Sequence, residues 1–182
     1  ILVETCNQLD IPMLHLSNCY VFDGEKKLGY NENDETNPKG VYGYYTLAGE
    51  QAVRDHPKHI IMRSGWLFGK HKIGLIKSWI HSIKKHKGEL TVWRRRFSPT
   101  STTEIASAIL AVAQQVDCDA NVWGTYHYSG LEIKKEIEFA RQVLKYAANH
   151  DEEIYQLLEN TKIRENLPRL PELPNSTLSS KK

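Results

Sequence analysis

The residues best suited to chemistry lie in one stretch of the chain, LSNCYVFDGEKKLGYNENDETNPKGVYGYYTLAGE, from Leu16 to Glu50. An apolar run ends there in Ser17, Asn18 and Cys19, a hydroxyl, an amide and a thiol in succession. Further on, Tyr42 opens a helix-compatible segment that continues through Tyr44, Tyr45 and Thr46. A tyrosine hydroxyl can protonate a developing alkoxide if a nearby cation lowers its pKa from about 10. On a helix such a neighbour stands three or four residues away. The residue four positions after Tyr42 is Thr46, which is uncharged. Asn18 can donate a hydrogen bond to a carbonyl oxygen. By residue type alone, Tyr42, Tyr44 and Tyr45 also fit a packing role.

Other groups carry less specific signals. Arg94-Arg95-Arg96 could hold a diphosphate bidentately, or form a solvated basic loop. Lys84 to Lys87 reads as a solvated helix end. The eight histidines show no metal-ligand spacing, so no metal is expected. Gly65 to Lys70 is one residue short of a P-loop and lacks the following Ser or Thr. Cys6, Cys19 and Cys118 form no CxxC pair, which points to a reducing, cytoplasmic setting.

The elements that must position these residues follow from periodicity. A chain of 182 residues suffices for one domain, or one domain with a small lobe. No apolar run reaches membrane-spanning length, and the N-terminus has no signal-peptide pattern. The net charge of +2 argues against a dedicated nucleic-acid binder. Ile1, Val3, Cys6 and Leu9 already follow helical spacing, so the chain reads as starting inside a helix, as the C-terminal portion of a longer polypeptide. Residues 11–22 read as a strand buried on both faces of a parallel sheet, followed by an Asp23-Gly24 turn and a polar loop over 25–40. Helices are expected over 42–54 and 75–83, after the capping box Ser101-Thr102-Thr103-Glu104, and over 133–147. Short strands are expected at 60–62, 90–93 and 123–128, which makes the chain α/β. The Pro-containing tail is expected to be extended or partly disordered.

Several of these segments, in order, resemble the dTDP-4-dehydrorhamnose reductase family of extended short-chain dehydrogenases. HLSNCYVFDG is similar to the family's strand-end motif, which usually reads Ser-Thr-Asp where this chain has Ser17-Asn18-Cys19. Tyr30, Glu32, Asp34 and Pro38 match Y-x-E-x-D-x-x-x-P, and YGYYTLAGE looks like Tyr-Gly-x-Ser-Lys-Leu-x-Gly-Glu. MRSGWLFG, FSPTSTTEIASAI and GTYHYSG are similar to later family segments. Pro174-Asn175-Ser176 looks like the end of the Arg-Pro-x-Asn-Ser signature, with Leu173 where Arg is usual.

The resemblance implies the C-terminal part of a Rossmann-like parallel sheet (residues 1–69), a mostly substrate-binding small α/β lobe (70–165) and an extended tail (166–182). It implies NADPH- or NADH-dependent reduction of a dTDP-linked 4-keto-6-deoxy sugar, with no nucleic acid or membrane partner, and leaves a homodimer open. Tyr42, Asn18 and Thr46 would take the catalytic positions, and Ser17, Tyr42 and Arg63 would face the cofactor. Tyr20, Val21, Phe22, Trp66 and Arg96 would face the substrate. Asn18 stands where the family has Thr, and Thr46 where it has the Lys that lowers the tyrosine pKa. No G-x-G-x-x-G occurs, so tight dinucleotide binding is not expected of this chain. Impaired catalysis is therefore expected. The second reading is a non-catalytic binding or regulatory relative, similar to the methionine adenosyltransferase regulatory beta subunit.

Overall fold

The computed structural model describes residues 1–70, 74–118, 120–170 and 172–179. Helix α1 (Leu2–Gln8) leads into β1 (Met13–Asn18), a single 3-10 turn (Cys19–Val21) and a long loop. Helix α2 (Val41–Arg54) then returns the chain to β2 (His59–Ser64). Next come β3 (Trp66–Phe68), α3 (Leu75–Lys85), β4 (Glu89–Trp93), β5 (Arg96–Phe97), β6 (Pro99–Ser101) and α4 (Thr102–Asp117). The order closes with β7 (Gly124–Tyr128), β8 (Lys134–Lys135), α5 (Glu136–Ala148), α6 (Glu152–Leu158) and β9 (Lys162–Asn166). The expected α/β alternation is present, and Ser101 and Glu104 form the capping box of α4.

Three parallel strands, in the order β1-β2-β7, frame the molecule. Their register sets Ser17, Arg63 and His127 side by side on one rung, and Asn18, Ser64 and Tyr128 on the next. Parallel strands need a long crossover, so β7 returns to this sheet only after much of the lobe has been built. Residues 124–128 thus leave the segment expected to be lobe and join the first sheet.

Two expectations need correction. The run over 11–22 is not one strand buried on both faces. β1 stops at Asn18, lies at the sheet edge and leaves Leu16 45% exposed. The run stays apolar past the strand because Cys19, Val21 and Phe22 turn into a core with Tyr30 and Leu178. The second concerns the tail, where only the disordered alternative is corrected: from Glu172 to Ser179 it forms no helix but is largely buried. It is held by backbone hydrogen bonds from Arg96 N to Pro174 O (2.9 Å), Ser176 N to Arg96 O (2.9 Å), Tyr30 N to Thr177 O (2.9 Å) and Ser179 N to Tyr30 O (2.7 Å). Asn175 Nδ2 adds bonds to the carbonyls of Lys26 (2.6 Å) and Leu28 (3.2 Å). Pro171 and residues 180–182 lie outside the described residues.

The lobe has its own core of Trp79, Ile83, Leu90, Val92, Ala140 and Leu144, drawn from α3, β4 and α5. Each large apolar side chain buried there contributes about 1.5–3 kcal/mol. β9 pairs in parallel with β4 and sends Ile163 inward.

Candidate active site

Asn18 ends β1 in an extended conformation and caps the 3-10 turn, its Oδ1 accepting from Tyr20 N at 3.0 Å. With Oδ1 engaged, the amide nitrogen is the end that faces α2, and Nδ2 donates to Tyr42 Oη at 3.0 Å. Gly43 permits the contact, because a Cβ there would lie 2.3 Å from the Tyr20 carbonyl oxygen. Tyr42 oxygen accepts from Asn18, so its own proton is free to be donated outward. Tyr42 is 55% exposed, and the Tyr20 ring meets its ring edge-on at 5.5 Å. Thr46 Oγ1 instead donates to the Tyr42 carbonyl at 2.9 Å. Of the three residues expected at catalytic positions, Asn18 and Tyr42 are joined and Thr46 is spent on its own helix.

A buried polar layer lies one rung below. Glu50 projects from α2 and is fully buried. It accepts from Ser17 Oγ at 2.5 Å, from Arg63 Nε at 2.8 Å and Nη2 at 2.7 Å, and from Arg54 Nη2 at 3.0 Å. The Arg63 guanidinium also lies over the Phe22 ring at 5.1 Å. Burial alone would raise the Glu50 pKa, but the bidentate Arg63, joined by Ser17 and Arg54, outweighs it and holds the carboxyl below its usual range. His127 Nδ1 sits 3.0 Å from the Tyr30 carbonyl, which can only accept, so Nδ1 carries the proton. Nε2 is then the acceptor facing Arg63 Nη1 at 3.4 Å. Burial first, and the Arg63 charge second, pull the His127 pKa below its ordinary value.

This layer predicts acid sensitivity. His127 titrates lower when folded, so below about pH 6.5 the unfolded chain binds that proton first and stability falls with pH. Glu50 is also depressed, and its contribution is lost at still lower pH, as the carboxyl is titrated through its native value. Melting temperature should therefore drop on acidification, and His127→Gln should flatten the upper part of that drop. An unaltered slope in His127→Gln would show that His127 does not couple to folding.

Ser17 and Arg63, expected at the cofactor, are buried side chains already held by Glu50. Val21 and Phe22, expected at the substrate, are fully buried, so only their backbone can meet a ligand. Tyr20 is half-buried and donates its hydroxyl to Glu172 Oε2 at 3.2 Å. Trp66 is half-buried, stacked on Phe68 at 6.4 Å and edge-on to Phe97 at 5.6 Å. Arg96 is exposed and donates to the Lys27 carbonyl at 3.2 Å. The arginine triplet is therefore split, with Arg95 buried between Glu136 and Glu172 and its neighbours facing out. Cys19 is buried, and burial pushes its thiol up to about 11, which removes it as a nucleophile.

The sequence reading missed Glu50 and His127 as partners. The available signal was that Glu50 shares the buried face of α2 with Gly43 and Val53. A carboxylate on such a face requires a cation. Among the described residues no cluster of His, Cys, Asp or Glu is placed to hold a metal ion, and no helix is long and apolar enough to cross a membrane. Two hollows of about 510 and 610 Å³ open elsewhere, one beside Lys26, Asn31 and Ser129, the other beside Phe68, Ile76 and Thr102.

A parallel sheet with polar residues at its carboxyl ends, met there by a helical tyrosine, defines a Rossmann-like α/β protein. The RmlD substrate binding domain family matches residues 1–182, and the chain belongs to that family. It is 34% identical over 146 residues to the dTDP-4-dehydrorhamnose reductase of Sinorhizobium fredii, covering 78% of this chain and 49% of that protein. It is 30% identical over 169 residues to the same enzyme of Aggregatibacter actinomycetemcomitans, covering 92% of this chain and 54% of that protein. Among solved structures, a dTDP-4-dehydrorhamnose reductase from Clostridium acetobutylicum superposes with a TM-score of 0.82 at 27% identity, over 98% of this chain and 60% of that one. The Bacillus anthracis enzyme, solved in complex with NADP, shares the fold with a TM-score of 0.79 at 24% identity, over 98% of this chain and 60% of that one. The chain spans about half the length of the curated relatives it matches.

Proposed function

We propose that this chain provides the substrate-facing part of an NAD(P)H-dependent reductase for the ketone of a nucleotide sugar, a dTDP-linked 4-keto-6-deoxy sugar, and that it works slowly. The observation that carries this reading is the hydrogen bond from Asn18 to Tyr42 at the carboxyl end of β1. The residues present fit one end of the reaction. Asn18 and Tyr42 form a polar crest where a ketone and a nicotinamide ring would meet, while no Gly-rich turn is present to seat a pyrophosphate. A nicotinamide bound there would supply the hydride.

The Tyr42 hydroxyl donates its proton to the ketone oxygen as negative charge develops there. The Asn18 amide holds the Tyr42 oxygen in place and stabilises the charge left on it by donating Nδ2–H. Thr46 brings no cation, and its hydroxyl is turned to the helix backbone. A neutral donor stabilises a phenolate less than a lysine would, which is the reason to expect slow turnover. A reducing cytoplasm is the proposed setting, consistent with three free cysteines.

The test is to supply NADPH, raised until the rate no longer depends on it, with the dTDP-4-keto-6-deoxy sugar, and to follow both nucleotide oxidation and formation of the sugar alcohol. Slow, sugar-dependent oxidation supports the reading. Sugar binding with no turnover would leave the non-catalytic, regulatory reading, which the uncharged Thr46 favours.

A further inference from the structure

We propose that Glu172, in the C-terminal tail, is a positioning residue for Tyr42 and acts through Tyr20. Tyr20 is fixed at both ends. Its backbone N–H donates to Asn18 Oδ1 at 3.0 Å, and its hydroxyl donates to Glu172 Oε2 at 3.2 Å across 152 residues of sequence. Its ring lies edge-on to Tyr42, with centroids 5.5 Å apart and planes at 74°. The residue that orients the Asn18 amide therefore also forms one wall against the Tyr42 ring.

Glu172 is itself well anchored. It shares the buried Arg95 guanidinium with Glu136 of α5, so the tether runs back to the lobe. Its backbone closes a turn onto Arg169 O at 2.9 Å, and the next residue, Leu173, is buried against Gly24. Two carboxylates around one arginine would be an expensive way merely to neutralise it. The second carboxylate gains a use as the acceptor for Tyr20. Burial pushes the Tyr20 hydroxyl up to about 12, so it remains a donor throughout the working pH range. The tail thus fixes the Tyr20–Asn18–Tyr42 geometry from the far end of the sequence.

The effect on turnover rests on the reductase reading, whereas the positioning itself does not. The whole chain, labelled with carbon-13 in its tyrosine rings, reports it by NMR, with the Tyr42 signal assigned from Tyr42→Phe. Tyr20→Phe and Glu172→Gln should each shift the Tyr42 signal, and the double variant should add nothing beyond Tyr20→Phe. The exposed control Glu159→Gln should leave it in place. A folded Tyr20→Phe with an unmoved Tyr42 signal overturns the proposal. If Glu172→Gln does not fold, Tyr20→Phe decides alone, because it leaves both carboxylates on Arg95. In assays the same variants should lower kcat several-fold with little change in the sugar KM. Absence of turnover in the unmutated protein would count against the reductase reading and leave the NMR comparison intact.

Discussion

Glu50→Ala is expected to cost this chain about 3–5 kcal/mol of folding stability, because it leaves Arg63 in the interior without its anion. Both side chains are essentially inaccessible, and Arg63 bonds Glu50 through two nitrogens, so water cannot replace the carboxylate. Ser17 and Arg54 lose their acceptor as well. For a domain of this size each kcal/mol corresponds to roughly 2–4 °C, which predicts a fall in melting temperature of roughly 6–20 °C. The paired replacement Glu50→Leu with Arg63→Met should be less damaging than Glu50→Ala alone, because an apolar pair leaves no stranded charge. Chemical denaturation of the single and double variants tests this. A Glu50→Ala protein as stable as the parent would remove the buried layer from the account of the fold.

The second large effect should be a gain. Thr46→Lys places a cation four residues after Tyr42, on the same face of α2. If the proton given up by Tyr42 limits the rate, turnover should rise roughly tenfold or more, within the range general acid catalysis supplies. The cost to folding should be small. Thr46 gives up only a hydroxyl bond to its own helix, and Lys favours a helix more than Thr does. Thr46→Met, of similar bulk and no charge, separates the cation from the loss of the hydroxyl. A Thr46→Lys protein that binds the sugar and turns over no faster would show that the absent cation is not what slows the site.

Much of the scaffold was legible because its signals are local. The period of α3, the capping box at Ser101 and Glu104 and the apolar β2 each announce themselves within a few residues. β9 did not, because Ile163 is its one apolar residue, set among charged and polar neighbours. The tail read as extended or partly disordered because its prolines interrupt any periodic pattern, yet Pro174, Ser176, Thr177 and Ser179 are bonded to the backbone of Tyr30 and Arg96. The buried layer was hidden for a different reason. Ser17, Glu50, Arg63 and His127 become neighbours only through strand register and the docking of α2. The pairing of Tyr42 with Asn18 was foreseeable from the family resemblance. The direction of their hydrogen bond was not, since it depends on the Tyr20 amide engaging Asn18 Oδ1.

The most direct measurement compares the unmutated protein with Tyr42→Phe, following NADPH oxidation driven by the dTDP-4-keto-6-deoxy sugar and, separately, binding of that sugar. Removal of the hydroxyl should lower the rate by about 10²–10⁴-fold with little loss of sugar affinity, because the proton it donates is needed in the transition state rather than for binding. Equal rates in the two proteins would contradict the account, since Tyr42 could not then be the acid.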